Sequence, residues 1–378
     1  MLLGQKGQET LQVAAIVVVG ERSSFADAPE YDGFPSGDLD QPEWFAGSPI
    51  VALELLGESV LERMVTRLQS AGTQSVSVVT KENRIHIITS SSNCPVESVL
   101  IEQPAGTWPT VAKLVDDYAT NGFDTVLLIR LGAYLEFDFH DFLQFHRDQG
   151  QAVTRASASD GPLDFWMIDA KHFREAGVCF HEEKCTAVKA GAQHYRGAAY
   201  VNRLLHATDI RRLVADTLEM RLAIRPAGKE IKPGLWAHSS SRINPYARIE
   251  GPVYIGREAR IGVTSFISAL SNIERHSHID RGTSVADASI LAHTNLGAWL
   301  DVSKAVVSGK RLANLRHNVT VDILDDKLIK NTSTGIVDRP HVPSSAKPAG
   351  RPELVADVLK PQRSMIRAAR AWFLARRA

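Results

Sequence analysis

The stretch "VAAIVVVGERSS" runs from an apolar strand into a loop, the place where a nucleotide-binding domain holds phosphate. Such a loop works by bringing backbone N–H groups and a cation to phosphate oxygens. Here it offers Gly20 and Arg22. Between Arg22 and Arg63 there is no Lys, Arg or His, while Asp27, Glu30, Asp32, Asp38, Asp40 and Glu43 crowd the same stretch. A loop so charged repels a triphosphate, unless its acids serve as metal ligands. In "CFHEEKC", Cys179, His181 and Cys185 carry metal-ligating side chains, but no second pair at zinc-ribbon spacing completes a tetrahedral set. Reduced structural thiols, with Cys94 as the third, are the expected reading. In "EQPAGTWPTVAKL", Gln103, Gly106 and Thr107 precede a helical pattern. Read from the residues alone, this is a turn with Thr107 or Thr110 as N-cap.

The elements around these residues alternate. "AAIVVV", "SVSVVT" and "TVLLIRLG" read as strands covered on both faces. Between them, "SVLERMVTRLQSAG" places Val60, Leu61, Met64, Val65 and Leu68 on one helical face, with Gly72 where the helix stops. "TVAKLVDDYATNG" reads as a second helix, "DFHDFLQFHRDQG" as a third and "ATDIRRLVADTLEMRL" as the helix that closes the region; "QAVTRAS" is a further strand. Alternation of this kind predicts βαβ units in a wound, mixed or parallel sheet over residues 13–225.

A different signal follows. Ile243, Ile249, Ile255, Ile261, Ile267, Ile273, Ile279 and Val285 are spaced six apart, and a small or β-branched residue stands four positions after each, from Ala247 to Ser289. A period of six fits neither a helix nor an ordinary half-buried strand. It predicts a prism of short parallel strands, the left-handed hexapeptide β-helix, over residues 231–325, with the aliphatic file inside. Residues 331–362 are rich in Pro, Ser, Thr and Gly and read as a linker. In "RSMIRAARAWFLARRA", residues 363–378, five arginines flank an apolar face, which suits an anionic membrane surface, a protein partner or the chain's own body.

Lys plus Arg and Asp plus Glu number 43 each, a balance that argues against bulk nucleic-acid binding. No apolar run reaches bilayer-spanning length and none resembles a signal sequence, so a cytoplasmic chain is expected, peripheral at the inner membrane face if the terminal helix meets lipid.

A wound α/β domain (Rossmann-like, of nucleotidyltransferase type) followed by a hexapeptide β-helix resembles the nucleotide-sugar pyrophosphorylases. These sugar-1-phosphate nucleotidyltransferases join a nucleoside triphosphate to a sugar phosphate and release pyrophosphate. The likeness covers roughly residues 13–325. "GSPIVALELLGESVLERMVTRLQSAG" is similar to the family's PKP segment and following helix, and "EQPAGTWPTVAKL" to its base- and ribose-contacting Gln…Gly-Thr stretch. "VLLIRLGAYLEFDFHDFLQFHRDQGQAVT" resembles the strand ending in Gly-Asp, and "YVNRLLHATDIRRLVADTLEMR" the closing segment. The resemblance implies nucleotide contacts at Gly20, Arg22, Gln103, Gly106 and Thr107, and Mg2+ if the protein is active. It also exposes departures. The PKP lysine falls on Ser48 with Pro49 kept, the magnesium-binding Asp on Ala133 after a matching Gly132, and the second acidic ligand on Asn202. Phosphoryl transfer needs cations and a divalent ion to neutralise developing charge. The expectation is therefore a catalytically degenerate protein that binds nucleotide or nucleotide sugar as a sensor or regulatory subunit in polysaccharide precursor synthesis. Three alternatives stand beside it. One is an active nucleotidyltransferase with a rebuilt metal site; another is a β-helix acyltransferase using His276, His278 or His293. The third is a scaffold for a membrane-bound glycan enzyme. A homo-oligomer built through the β-helix is expected in each case.

Overall fold

The computed structural model describes residues 12–19, 50–80, 94–101, 106–158, 161–171 and 193–332. It is a mixed α/β protein with several parallel and mixed sheets, and most of its elements are strands. The first part runs β1 (Val13–Val19), β2 (Glu54–Leu55), β3 (Glu58–Ser59), α1 (Val60–Ser70), β4 (Ser75–Thr80), β5 (Val96–Leu100) and α2 (Thr107–Thr120). It continues through β6 (Thr125–Leu131), β7 (Tyr134–Phe137), α3 (Phe139–Gln149), β8 (Val153–Ala158), β9 (Gly161–Asp169), β10 (Gln193–Arg196), β11 (Ala199–Asn202) and α4 (Ala207–Leu218).

β1 is buried along its whole length and therefore lies inside the sheet. Seven strands are ordered β10-β8-β9-β6-β1-β4-β5, with β1 parallel to β4 and β6, and β9 antiparallel to β6 and β8. Strand alternation divides β1 between two cores: Ala15, Val17 and Val19 face one, and Ala14, Ile16 and Val18 the other. The first core lies under α1, whose five expected apolar residues are all buried, and under α3 and α4. The second is covered by α2 through Trp108, Val111, Val115 and Tyr118. Local chemistry sets the helix ends. Ser59 and Glu62 form a reciprocal capping box on α1, Asp138 caps α3, and Gly150 ends α3 in the left-handed conformation.

The second part is built of short strands in three parallel ladders. Ile243, Ile261 and Ile279 pair in one ladder, Ile249, Ile267 and Val285 in another, and Ile255 and Ile273 in the third, each pair 18 residues apart. The six-residue period is thus a buried register: Ile255 through Val285 lie in one apolar core, and Ile243 and Ile249 are half-buried at its open end. The small residues tie one level to the next. The hydroxyls of Ser265, Ser277 and Thr283 donate to the carbonyls of Asp280, Leu291 and Gly297. After Val285 one residue is lost per level. Ile273 pairs with Ile290, Ile279 with Leu296 and Val285 with Val302, each 17 residues apart. The chain turns on residues with positive φ, among them Glu258, Thr264, His276, Gly282, Asp287, His293, Trp299 and Lys304.

The expected linker begins too early. Asn331 belongs to the strand Ile329–Asn331, which pairs antiparallel with Thr294–Leu296, and Thr332 N donates to His293 O. Residues 333–378, including the expected terminal helix, lie outside the described residues.

The two parts share a core. Tyr254, Leu291, Val306 and Ala313 of the second join the apolar cluster beneath α1, α3 and α4. Polar groups fasten the contact. Arg211 of α4 donates to Ser289 Oγ (2.8 Å), Asp287 Oδ1 (2.8 Å) and Leu270 O (3.0 Å). Glu274, completely buried, accepts from Leu56 N (2.6 Å), Gly57 N (3.1 Å) and Asn272 Nδ2 (2.7 Å). Gly57 is required there: its φ is 89°, and a Cβ would collide with the Tyr254 hydroxyl and the Ala227 side chain.

Candidate functional site

β8 pairs parallel with β10 and, through antiparallel β9, runs in the same direction as β6. The carboxyl ends of β1, β4, β5, β6, β8 and β10 therefore open on one edge of the sheet, where ligands of wound sheets bind. Gly106 and Thr107 stand at this edge, after β5, at the start of α2. Gly106 is the N-cap residue, with φ 81° and no side chain, so neither threonine caps the helix as the simple turn reading expected. Thr107 is buried, and Thr110 Oγ1 donates back to Gly106 O (2.9 Å). Gly20, Arg22, Ser48, Pro49, Gln103, the acids from Asp27 to Glu43, and the Cys179–His181–Cys185 group lie outside the described residues.

At the same edge, about 580 Å³ of cavity is lined by Arg155, Ser157, Ala158, Gly161, His194, Arg196 and Gly197. Strand register explains its chemistry. His194 is the partner of Arg155, and Arg196 of Ser157, so these four project from one face. Ala156 and Tyr195, between them, project from the other face and are buried in the first core. Tyr195 locks β10 in place. Its ring packs on Phe137, Phe142 and Phe145, and its hydroxyl donates to the Asp141 carboxylate. Burial, followed by that carboxylate, pushes the phenol up to about 12, so it stays a donor.

Charged side chains stand along the cavity wall. Arg155 donates to Leu163 O (3.1 Å) and Asp164 Oδ1 (3.5 Å), and its guanidinium lies over the Trp166 ring. Arg130 donates to Asp164 Oδ2 through two nitrogens, each at 3.2 Å. Two guanidiniums thus share one fully buried carboxylate beside the cavity. Arg196 adds its guanidinium to the lining, and Ser157 Oγ lies 3.4 Å from His194 Nδ1. Guanidiniums beside a hydroxyl and an imidazole at a carboxyl edge suit an oxyanion such as a phosphoryl group.

The positions expected to hold magnesium do not fit it. Ala133 is fully buried and presents only a methyl group. The amide of Asn202 is engaged: Nδ2 donates to Asp209 O (2.9 Å), and Oδ1 accepts from Leu204 N (3.0 Å). It shapes the entry to α4 and offers no free oxygen pair to a cation.

The three histidines divide. His276 and His293 stack with ring centroids 5.0 Å apart, and His276 Nδ1 lies 3.2 Å from Glu258 Oε2. Burial, then Arg275 and His276, lowers the pKa of His293. His278 belongs to another column, in register with Arg260 and Asn295. Sequence reading missed Arg155, His194 and Arg196. The alternation in "VTRAS" and "QHYR" carries their phase, but the pairing that unites them joins residues 39 positions apart, such as His194 and Arg155. Compared with known proteins, the chain matches no family model and no curated sequence.

Proposed function

We propose that this chain is a nucleotide-sugar pyrophosphorylase-like protein that binds a nucleotide sugar or sugar phosphate without turning it over, and acts as a sensor in polysaccharide precursor synthesis. The observation that carries the reading is the cavity lined by the guanidiniums of Arg155 and Arg196, with Ser157 and His194, at the sheet edge where the family's substrate is expected. The buried methyl of Ala133 at the expected metal position supports the loss of turnover. In this reading the seven-stranded sheet is the nucleotidyltransferase-like domain and the laddered region is a left-handed β-helix. The 18-residue register of three ladders supports the latter. The cavity, at the β8–β10 end of the sheet, takes the phosphoryl part. The start of α2 follows β5 at the opposite end, about 20 Å or more away at about 4.8 Å per strand, and is too distant to hold the nucleoside of the same ligand.

The test is calorimetric titration of the full chain with UDP-glucose, GDP-mannose and ADP-glucose, with and without Mg2+, beside a pyrophosphorolysis assay. Binding by the native chain, lost in the Arg155→Ala/Arg196→Ala variant, with no pyrophosphorolysis, is the expected result. Turnover that depends on Asp38 or Asp40 would replace this reading with an active enzyme. A second reading, acyl transfer on the laddered region, is favoured by one observation, the Glu258–His276 contact, which would orient an imidazole base. Acyl-CoA binding lost on His276→Ala would favour it. Among the described residues no helix is long and apolar enough to cross a membrane. Attachment to lipid or to a membrane enzyme is proposed for residues 363–378 on the strength of their five arginines and apolar residues. Their deletion should reduce binding to anionic liposomes if lipid is the partner and leave it unchanged if a protein is.

A further inference from the structure

One sheet of the laddered region has five strands: Arg242–Ile243, Arg260–Ile261, His278–Ile279, Thr294–Leu296 and Ile329–Asn331. Its inner column is aliphatic, through Ile243, Ile261, Ile279, Leu296 and Ile329, all packed in or against one core. Register then dictates the outer column. Arg242 pairs with Arg260, Arg260 with His278, His278 with Asn295, and Asn295 with Lys330. Arg242, Arg260 and Lys330 are exposed, and the two arginines form no ion pair among the described residues. The hydrogen bonds of the flanking acids lie elsewhere: Glu258 faces His276, and Asp280 Oδ1 accepts from Arg281 N. Like charges directly opposite one another on adjacent strands destabilise a sheet. An anion lying along the column relieves that repulsion.

We propose that this column is a binding surface for a linear, carboxylate-bearing polysaccharide. Neighbouring strands are about 4.8 Å apart, so the five rungs present donors along roughly 19 Å at a constant interval. In an extended, twofold polyuronate every second carboxylate faces the same side, at an interval comparable to two rungs (about 9.6 Å), so same-side carboxylates can meet alternate rungs. An extended acidic peptide carries same-side residues about 6.6 Å apart and falls out of step with the rungs. The proposal rests on the ladder alone and does not depend on the cavity in the first part of the chain.

The experiment is binding of polygalacturonate, dextran and polyglutamate to the full chain by biolayer interferometry, with a salt titration. The variants are Arg242→Ala/Arg260→Ala on the column and Arg257→Ala, exposed but off it, with circular dichroism confirming that each is folded. Polygalacturonate should bind and dextran should not. The double variant should bind about tenfold more weakly or worse, and its slope of log affinity against log salt should fall by roughly 1.5. Arg257→Ala should match the native chain. No polygalacturonate binding at about 20 mM salt, where surface charges are little screened, would overturn the proposal. So would equal loss in Arg257→Ala, no loss in the double variant, or equally tight binding of polyglutamate.

Discussion

The sheet of the first part and the ladders of the second solve the same burial problem with opposite kinds of information. In the ladders the levels repeat one instruction: an aliphatic residue inward, a small or β-branched residue after it whose hydroxyl at Ser265, Ser277 and Thr283 bonds to the next level, and left-handed turn residues. Long-range structure there follows from a local period. In the seven-stranded sheet every strand differs, and its order depends on pairings such as β10 with β8 that nothing nearby in sequence announces. A repeated region therefore loses stability at any rung, whereas the sheet is most sensitive at its central strand and at the contact between the two parts.

The largest expected effect breaks the repeat. Ile261→Asp places a carboxylate in a file that is buried from Ile255 to Val285. It should cost more than about 4 kcal/mol or prevent folding altogether. The exposed control Arg257→Asp should stay within about 0.5 kcal/mol of the native chain. Chemical denaturation compares the two directly. Equal, small changes would mean that the inner file is not a dry core.

The next effect falls on the contact. Glu274→Ala leaves Leu56 N, Gly57 N and Asn272 Nδ2 facing a cavity, at a cost of about 2–4 kcal/mol. The change should separate the unfolding of the two parts into two transitions in a calorimetric scan; one unchanged transition would show that Glu274 does not couple them. The same residue gives the contact a pH dependence. Burial, and then the Glu54 carboxylate, raises the Glu274 carboxyl from 4.5 to about 8, against the three N–H donors that favour its charged form. An acid whose folded pKa is raised contributes most below its unfolded value. Its contribution declines as pH rises from 4.5 through about 8. Replacement by Gln should flatten that decline, and an unaltered pH profile of the melting temperature would contradict the assignment.

A smaller effect belongs to the sheet. His146, buried against Thr154 at 2.7 Å, has its pKa lowered to about 4 by burial. Its neutral form is needed for folding, so its contribution is complete above 6.5 and is lost as pH falls from 6.5 through about 4. His146→Gln should remove this component of acid sensitivity while leaving the difference between pH 7 and pH 8 unchanged. A retained slope between pH 6.5 and pH 4 would place acid sensitivity elsewhere.

What could be read in advance follows the same division. The inner file from Ile243 to Val285, the apolar face of α1 and the fully buried β1 were legible because hydrophobic spacing alone specifies them. The edge strands were not. β5, "VESVL", is largely exposed and β10, "QHYR", is mostly polar, so neither has the apolar pattern of a strand until a partner is known. The shortening to 17 residues after Val285 was also hidden. It arises where Asp287 alone turns the chain, one level beyond a turn made by Ala269 and Leu270 together. Of the candidate site, Ala133 was legible as a residue that can hold no metal, and the structure buries it. The convergence of Arg155, His194 and Arg196 was not, because it is a property of register.

The central claim is that the arginine-lined cavity holds a phosphorylated sugar ligand and the chain does not convert it. The most direct measurement is a paired titration and turnover assay on one preparation of full-length protein. UDP-glucose, GDP-mannose and ADP-glucose are each titrated calorimetrically and then incubated with pyrophosphate and Mg2+. The account predicts saturable binding of at least one of them, abolished by Arg155→Ala/Arg196→Ala, and no nucleoside triphosphate formed. Triphosphate release by the native chain, or binding untouched by the double substitution, would contradict it.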